Sequence, residues 1–163
     1  MRSTPILAVI LLLTVAGSVA FGQRAPEAAI TPFVETEEVR PGGTTRVALI
    51  VSLTEGLHVQ SDRPRDPSLI PTVLIVEPPG GVRVGQLVYP HPTDFAQQGQ
   101  NQPLAVFERE FVVGAELAIG PDLPPGDLLI PARLRYQACD DKVCFRPITA
   151  TITWTRRRRR HVE

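Results

Sequence analysis

Proline is spread along this chain at roughly one residue in ten, 17 in 163, from Pro5 to Pro147. Each proline removes a backbone donor and fixes φ, so this spacing is hard to reconcile with a long-helix protein. Between Gln23 and Thr155 no helical period emerges. Apolar residues instead alternate or fall in short blocks bounded by Pro and Gly. Thr45–Leu53 alternates, with Val47, Leu49, Val51 and Leu53 on one side. Thr72–Glu77 and Val82–Val88 are short blocks, and Leu104–Val113 reads as one longer strand with Phe107, Arg109 and Phe111 sharing a side. Leu128–Tyr136 and Pro147–Thr155 alternate again; in the latter Ile148, Ala150, Ile152 and Trp154 take one face and four threonines the other. Six or more short strands between turn signals predict an all-β sandwich. Pro41-Gly42-Gly43, Glu55-Gly56, Pro78–Gly81 and Pro124-Pro125-Gly126 mark its corners. No connection holds a crossover helix, so antiparallel pairing is expected.

The two ends differ from the middle. Residues 1–22 read as a cleaved signal peptide: Arg2, the apolar run Ile6–Ala16, then small residues at Ser18, Ala20 and Gly22, with cleavage after Ala20 or Gly22. That run is shorter than the roughly 20 residues a membrane-spanning helix needs. The expectation is an exported chain, periplasmic or secreted, whose thiols meet an oxidising compartment. Residues 156–163 read as an arginine-rich tail, Arg156, Arg157, Arg158, Arg159 and Arg160 followed by His-Val-Glu. The formal charge of zero is therefore a cancellation. Residues 23–155, the expected single domain, keep 11 basic and 16 acidic residues, about −5, beside a compact +5 patch. The tail is open to two readings, a solvated terminus or a peripheral contact with anionic lipid or an acidic partner, at about 1 kcal/mol per basic residue near a charged surface. Overall neutrality and export both argue against a nucleic-acid partner.

The chemistry is concentrated in Tyr136–Pro147, YQACDDKVCFRP. Two strand candidates flank a turn, with Cys139 and Cys144, the only cysteines, on its two sides. A hairpin of this kind can place two Cα atoms within disulfide range. The closed loop has six residues, worth about 2 kcal/mol by chain entropy against about 4.7 for a hundred-residue loop. Lys142, the only lysine, would favour a thiolate while Asp140 and Asp141 oppose it. Spacing alone leaves a redox pair and a structural disulfide equally open. Two thiols and three scattered histidines do not suggest a metal, and no cofactor is expected beyond the disulfide itself. His91–Pro103 is polar, lacks alternation, and carries one large apolar residue, Phe95; it reads as a long surface loop.

The YQACDDKVCFRP stretch resembles the signature of the N-terminal periplasmic domain of the thiol:disulfide interchange protein DsbD. Glu55–Ser61 (EGLHVQS), Leu69–Thr72 (LIPT) and Val88–Pro90 (VYP) resemble further landmarks of that family, in the same order, so the resemblance covers roughly Thr31–Thr155. It implies an immunoglobulin-like sandwich and a cysteine pair that passes electrons by thiol–disulfide exchange. By that analogy Cys144 attacks a partner disulfide and Cys139 resolves the mixed disulfide. The resemblance also implies a capping loop, matched here by Thr93-Asp94-Phe95, in which Phe95 either shields the sulfurs or merely anchors the loop. His58 falls where the family often has an aromatic residue; it is either a modulator of the sulfurs or an ordinary strand-end histidine. Tyr136, in phase with Leu134, is expected in the core.

The sequence departs from the family pattern after this domain. The full-length family protein continues into membrane helices and a thioredoxin-like domain, whereas here no CxxC motif occurs and the sequence stops at Glu163. Electrons would then come from a separate membrane donor of DsbD type and pass to periplasmic thioredoxin-like proteins. The competing expectations are a noncatalytic immunoglobulin-like binding module with a structural Cys139–Cys144 disulfide, and an adaptor that presents the hairpin to a redox enzyme.

Overall fold

The structure, a computed structural model, describes residues 25–36, 38–97, 99, 101–124 and 126–158. The expected signal peptide lies outside the described residues. Along the chain run β1 (Ala29–Val34), β2 (Glu38–Val39), β3 (Thr44–Ser52), β4 (His58–Gln60), β5 (Val73–Val76) and β6 (Val82–Val88). They are followed by β7 (Thr93–Phe95), β8 (Leu104–Glu108), β9 (Glu110–Ile119), β10 (Gly126–Tyr136), β11 (Ala138–Cys139) and β12 (Ile148–Arg158).

These strands form two large sheets, β1-β3-β9-β6 and β2-β12-β10-β5, and a smaller third one, β11-β4-β8-β7. The fold is the expected all-β, immunoglobulin-like sandwich. Pairing is antiparallel except for the two-residue β2, which lies parallel to the end of β12. The alternation read from the sequence becomes the core. Val47, Leu49 and Val51 of β3 and Val113, Ala115 and Leu117 of β9 meet Ile130, Ala132 and Leu134 of β10, all buried. Trp154 of β12 is buried among them, and its indole Nε1 donates across the sandwich to the Ala48 carbonyl at 2.8 Å. A buried indole needs such an acceptor.

Three expectations change. Leu104–Val113 is not one strand: it breaks at Arg109, whose φ of 55° is left-handed. The Arg109 carbonyl accepts the Leu53 N–H at 2.6 Å, which holds the corner. The break shifts the side-chain phase, so Arg109 is exposed while Phe107 and Phe111 stay buried with ring centroids 4.9 Å apart. His91–Pro103 is not wholly loop, because β7 pairs with β8 in the register Thr93↔Val106 and Phe95↔Leu104. The tail does not begin at Arg156. The alternation that buries Trp154 also turns Arg156 inward, where it is 1% exposed and its Nη2 lies 3.4 Å from Thr45 Oγ1. Arg156 is therefore part of the sandwich. The strand backbone continues through Arg158, paired with Gly126 of β10, and Arg159 and Arg160 lie outside the described residues.

The third sheet is built from the ends of strand tracks that belong to the other two. The track of β3 turns at Thr54–Leu57 and continues as β4; Gly56, with φ of 80°, supplies the left-handed residue that turn needs. The track of β9 begins as β8 across Arg109, and the track of β10 continues as β11 after the single residue Gln137. The site described below is thus attached directly to the core strands. Replacing Trp154 by Ala removes the largest fully buried side chain among the described residues, together with its hydrogen bond to the Ala48 carbonyl. The expected loss is about 3–5 kcal/mol, read as a lowered denaturation midpoint with an unchanged slope in urea.

Candidate functional site at the cysteine hairpin

The sequence between the cysteines folds as a tight hairpin because Asp140 closes it. The Asp140 N–H donates to the Val143 carbonyl at 3.0 Å, and the Phe145 N–H donates to the Ala138 carbonyl at 2.9 Å. Cys139 and Cys144 stand directly opposite each other between those two bonds. That is a non-hydrogen-bonded position, the one where facing side chains come closest. The sulfurs are joined, with the Cα atoms 4.0 Å apart. The Asp140 carboxylate caps the turn by accepting the N–H groups of Lys142 and Val143, both at 2.7 Å. Those two bonds hold its carboxyl below the usual range, and the Lys142 charge adds to the effect. Gln137 braces the base of the hairpin by donating from Nε2 to the Phe145 carbonyl at 2.8 Å.

The two cysteines are not equivalent. Cys139 is 0% exposed, whereas Cys144 is exposed at the surface. Beside Cys144 the apolar Val143 is also exposed, at 51%.

The strand register then extends the site sideways. Cys139 pairs with His58 of β4, and His58 pairs with Glu108 of β8. Directly opposite residues of paired strands share a sheet face, with Cβ atoms roughly 4.5–5.5 Å apart. Cys144, Cys139, His58 and Glu108 therefore form a row across one face. His58 is buried, and its ring lies 4.3 Å from the Phe95 ring at an interplanar angle of 33°. Burial lowers the His58 pKa below the ordinary imidazole value, while Glu108 and Asp140 pull it back up. Its Nε2 has no hydrogen-bond partner among the described residues, and neither has Oε1 of the buried Gln60, two residues along the same face. Glu108 is held by Thr93, whose hydroxyl lies 3.0 Å from Oε2.

Of the residues singled out in the sequence, Cys139, Cys144, His58 and Phe95 are brought together. Asp94 alternates to the other side of β7 and pairs with Arg65, which also donates to the Pro103 carbonyl at 2.6 Å. Asp94 thus braces the strand that carries Phe95. Lys142 is exposed on the turn beside the Asp140 carboxylate. Tyr136 is buried, with its hydroxyl accepting the Ala28 N–H at 2.8 Å, so it ties the first described residues to the core. Glu108, Gln60 and Arg65 were not picked out from the sequence as site residues. Their places depend on strand register, which no local pattern in these segments announces. No group of three or more His, Cys, Asp and Glu is placed to hold a metal ion among the described residues.

The fold has counterparts of known identity. The N-terminal domain of DsbD from Neisseria meningitidis, in the reduced form, superposes with a TM-score of 0.50 at 14% identity, covering 78% of this chain and 85% of that one. The N-terminal periplasmic domain of ScsB from Proteus mirabilis superposes with a TM-score of 0.53 at 16% identity, covering 80% of this chain and 46% of that one. Among curated proteins, none matches this sequence. The family described as thiol:disulfide interchange protein DsbD, N-terminal, matches residues 30–156, which include the hairpin and all but the outermost residues of both large sheets. The chain belongs to the DsbD N-terminal domain family.

Proposed function

We propose that this chain is an exported thiol–disulfide exchange protein that passes reducing equivalents through Cys139 and Cys144. The observation that carries the reading is the asymmetry of the pair: an exposed Cys144 bonded to a fully buried Cys139 on a two-residue turn. In this reading the exposed sulfur is the one that meets a partner disulfide, and the buried one resolves the mixed disulfide. Family membership supports the same chemistry. The electron donor we propose is a separate membrane protein of DsbD type, the acceptors are thioredoxin-like proteins, and the compartment is the periplasm.

In the reduced form, Cys144 thiolate attacks one sulfur of the acceptor disulfide, and the other acceptor sulfur departs as a thiolate. Cys139 then attacks Cys144 Sγ. The intramolecular disulfide forms, the second acceptor sulfur departs, and two electrons have passed to the acceptor. Phe95 rests on His58, the residue opposite Cys139, and in this reading it is the cap over the site. In this reading β7 moves aside to admit a partner.

Equilibration with glutathione redox buffers, with alkylated Cys139 and Cys144 quantified by mass, tests this reading. An exchange protein gives a potential above about −300 mV, and a structural disulfide gives one below it. A value below that boundary overturns the proposal in favour of a noncatalytic module. In the same assay Cys139→Ser is expected to trap a mixed disulfide on Cys144, and Cys144→Ser to trap none.

Phe95→Ala is expected to raise the rate with glutathione disulfide several-fold, since the ring no longer covers the site. Equal rates for variant and wild type would show that Phe95 only anchors β7.

Asp140 gives a pH signature. Folding lowers its pKa, so its contribution to stability is present above the unfolded value of about 3.9 and is lost as pH falls through the folded value. Asp140→Ala should therefore unfold at a lower temperature than wild type at pH 6, and the gap should narrow toward pH 3.

A further inference from the structure

Closing the internal disulfide needs Cys139 to lose its proton, and opening it by attack at Cys144 needs Cys139 to regain one, yet Cys139 is 0% exposed. Water has no direct route to its sulfur in the closed structure. The side chain opposite Cys139 on the adjoining strand is an imidazole, His58, on the same sheet face. The ring is fixed by its stack against Phe95 at 4.3 Å, and its Nε2 is buried and unpartnered among the described residues. Its other cross-strand neighbour is the carboxylate Glu108.

We propose that His58 is the proton acceptor and donor for Cys139, the general base that makes the buried cysteine a resolving nucleophile. This rests on the exchange reading above and specifies how its second step occurs. With Cys144 bonded to a partner sulfur, Cys139 gives its proton to the imidazole. Its sulfur attacks Cys144 Sγ; the Cys139–Cys144 bond forms and the Cys144–partner bond breaks. The partner sulfur leaves as a thiolate and takes up a proton, and the imidazolium returns its proton to solvent once the site opens. In the opposite direction the imidazolium protonates the Cys139 sulfur as it leaves Cys144.

The charges around the ring suit both halves of that cycle. Burial lowers the imidazole pKa and so favours the neutral ring that can accept a proton. Glu108 from β8 and Asp140 from the hairpin stabilise the imidazolium once formed. Lys142 lies beside Asp140, Asp94 is paired with Arg65 on the far side of β7, and His91 lines the cavity next to Glu108. The row Cys139–His58–Glu108 is thus an acid–base relay laid across three strands. Opening β7 would lift Phe95 from the ring and couple partner access to proton exchange with solvent.

The test follows the second step directly. The reduced full chain is mixed with glutathione disulfide, quenched with acid at intervals, and the Cys144–glutathione adduct and internal disulfide are quantified by mass from pH 6 to pH 9. Wild type should show little adduct. His58→Gln, which keeps a polar side chain but cannot titrate, should accumulate adduct and resolve it roughly 10²-fold more slowly at pH 7. The deficit should shrink as pH approaches 9, where hydroxide takes the Cys139 proton in the site opened by the Cys144 adduct. A variant that resolves as fast as wild type, or more slowly by the same factor at every pH, overturns the proposal. Failure of wild type to form either adduct or internal disulfide sinks the exchange reading itself, and the two failures are distinct. A measurement on wild type guards against a variant that does not fold. The imidazole titration, followed by NMR in dithiol and disulfide forms, should differ between the two because the proton is shared with Cys139. Identical titrations overturn the assignment.

Discussion

Strand pairing is the constraint on which the site depends. Residues directly opposite in paired strands must share a sheet face. Once Cys139 pairs with Cys144 on one side and His58 on the other, and His58 pairs with Glu108, the order of these groups is set by backbone hydrogen bonds. No flexible side chain has to search for its partner. The strands that hold the row are continuations of core strands. β4 follows β3, β8 precedes β9 and β11 follows β10, so the register of the large sheets is transmitted to the small one. A slip of one residue would turn the whole row to the opposite face, and the buried alternation of β3, β9 and β10 resists such a slip.

The regular part of the fold was legible because it has a period. Thr45–Leu53, Leu128–Tyr136 and Pro147–Thr155 became β3, β10 and β12 with small changes at their ends. The corner at Arg109 was hidden because LAVFEREFVV alternates smoothly through it. Nothing in an arginine side chain advertises a left-handed backbone, a conformation that glycine and asparagine usually supply. β7 was hidden for the converse reason. Thr93-Asp94-Phe95 is too short to show a period, and only its pairing with β8 makes it a strand. At Arg156 the charge of the run masks its phase. Counted in steps of two from Ile148, Arg156 falls on the buried face, but a run of five arginines suggests solvent.

The site was legible in its chemistry and not in its geometry. The two cysteines, the turn between them and the single aromatic residue of a polar segment stand out in sequence. That Phe95 meets His58, and that His58 faces Cys139, follows from pairings between segments some 35 to 80 residues apart. The residues in between give no sign of such pairings. Glu108 illustrates the point. In sequence it is a polar residue beside Phe107, and only the register of β4 with β8 makes it a neighbour of the imidazole.

The hairpin also answers why a disulfide that closes so small a loop is placed here. Its chain-entropy contribution, about 2 kcal/mol, is modest. The turn is already held by the Asp140 N–H to the Val143 carbonyl, by two further N–H groups on the Asp140 carboxylate, and by Phe145 bonded to both Ala138 and Gln137. None of these bonds uses a sulfur atom. Breaking the disulfide therefore removes one constraint among several, and the remaining ones still hold Cys139 and Cys144 opposite each other. A pair kept in register without its covalent bond requires little reordering to re-form that bond. That is the property a pair cycling between dithiol and disulfide needs. A purely structural disulfide would add more stability by joining strands far apart in sequence, where loop-closure entropy is larger.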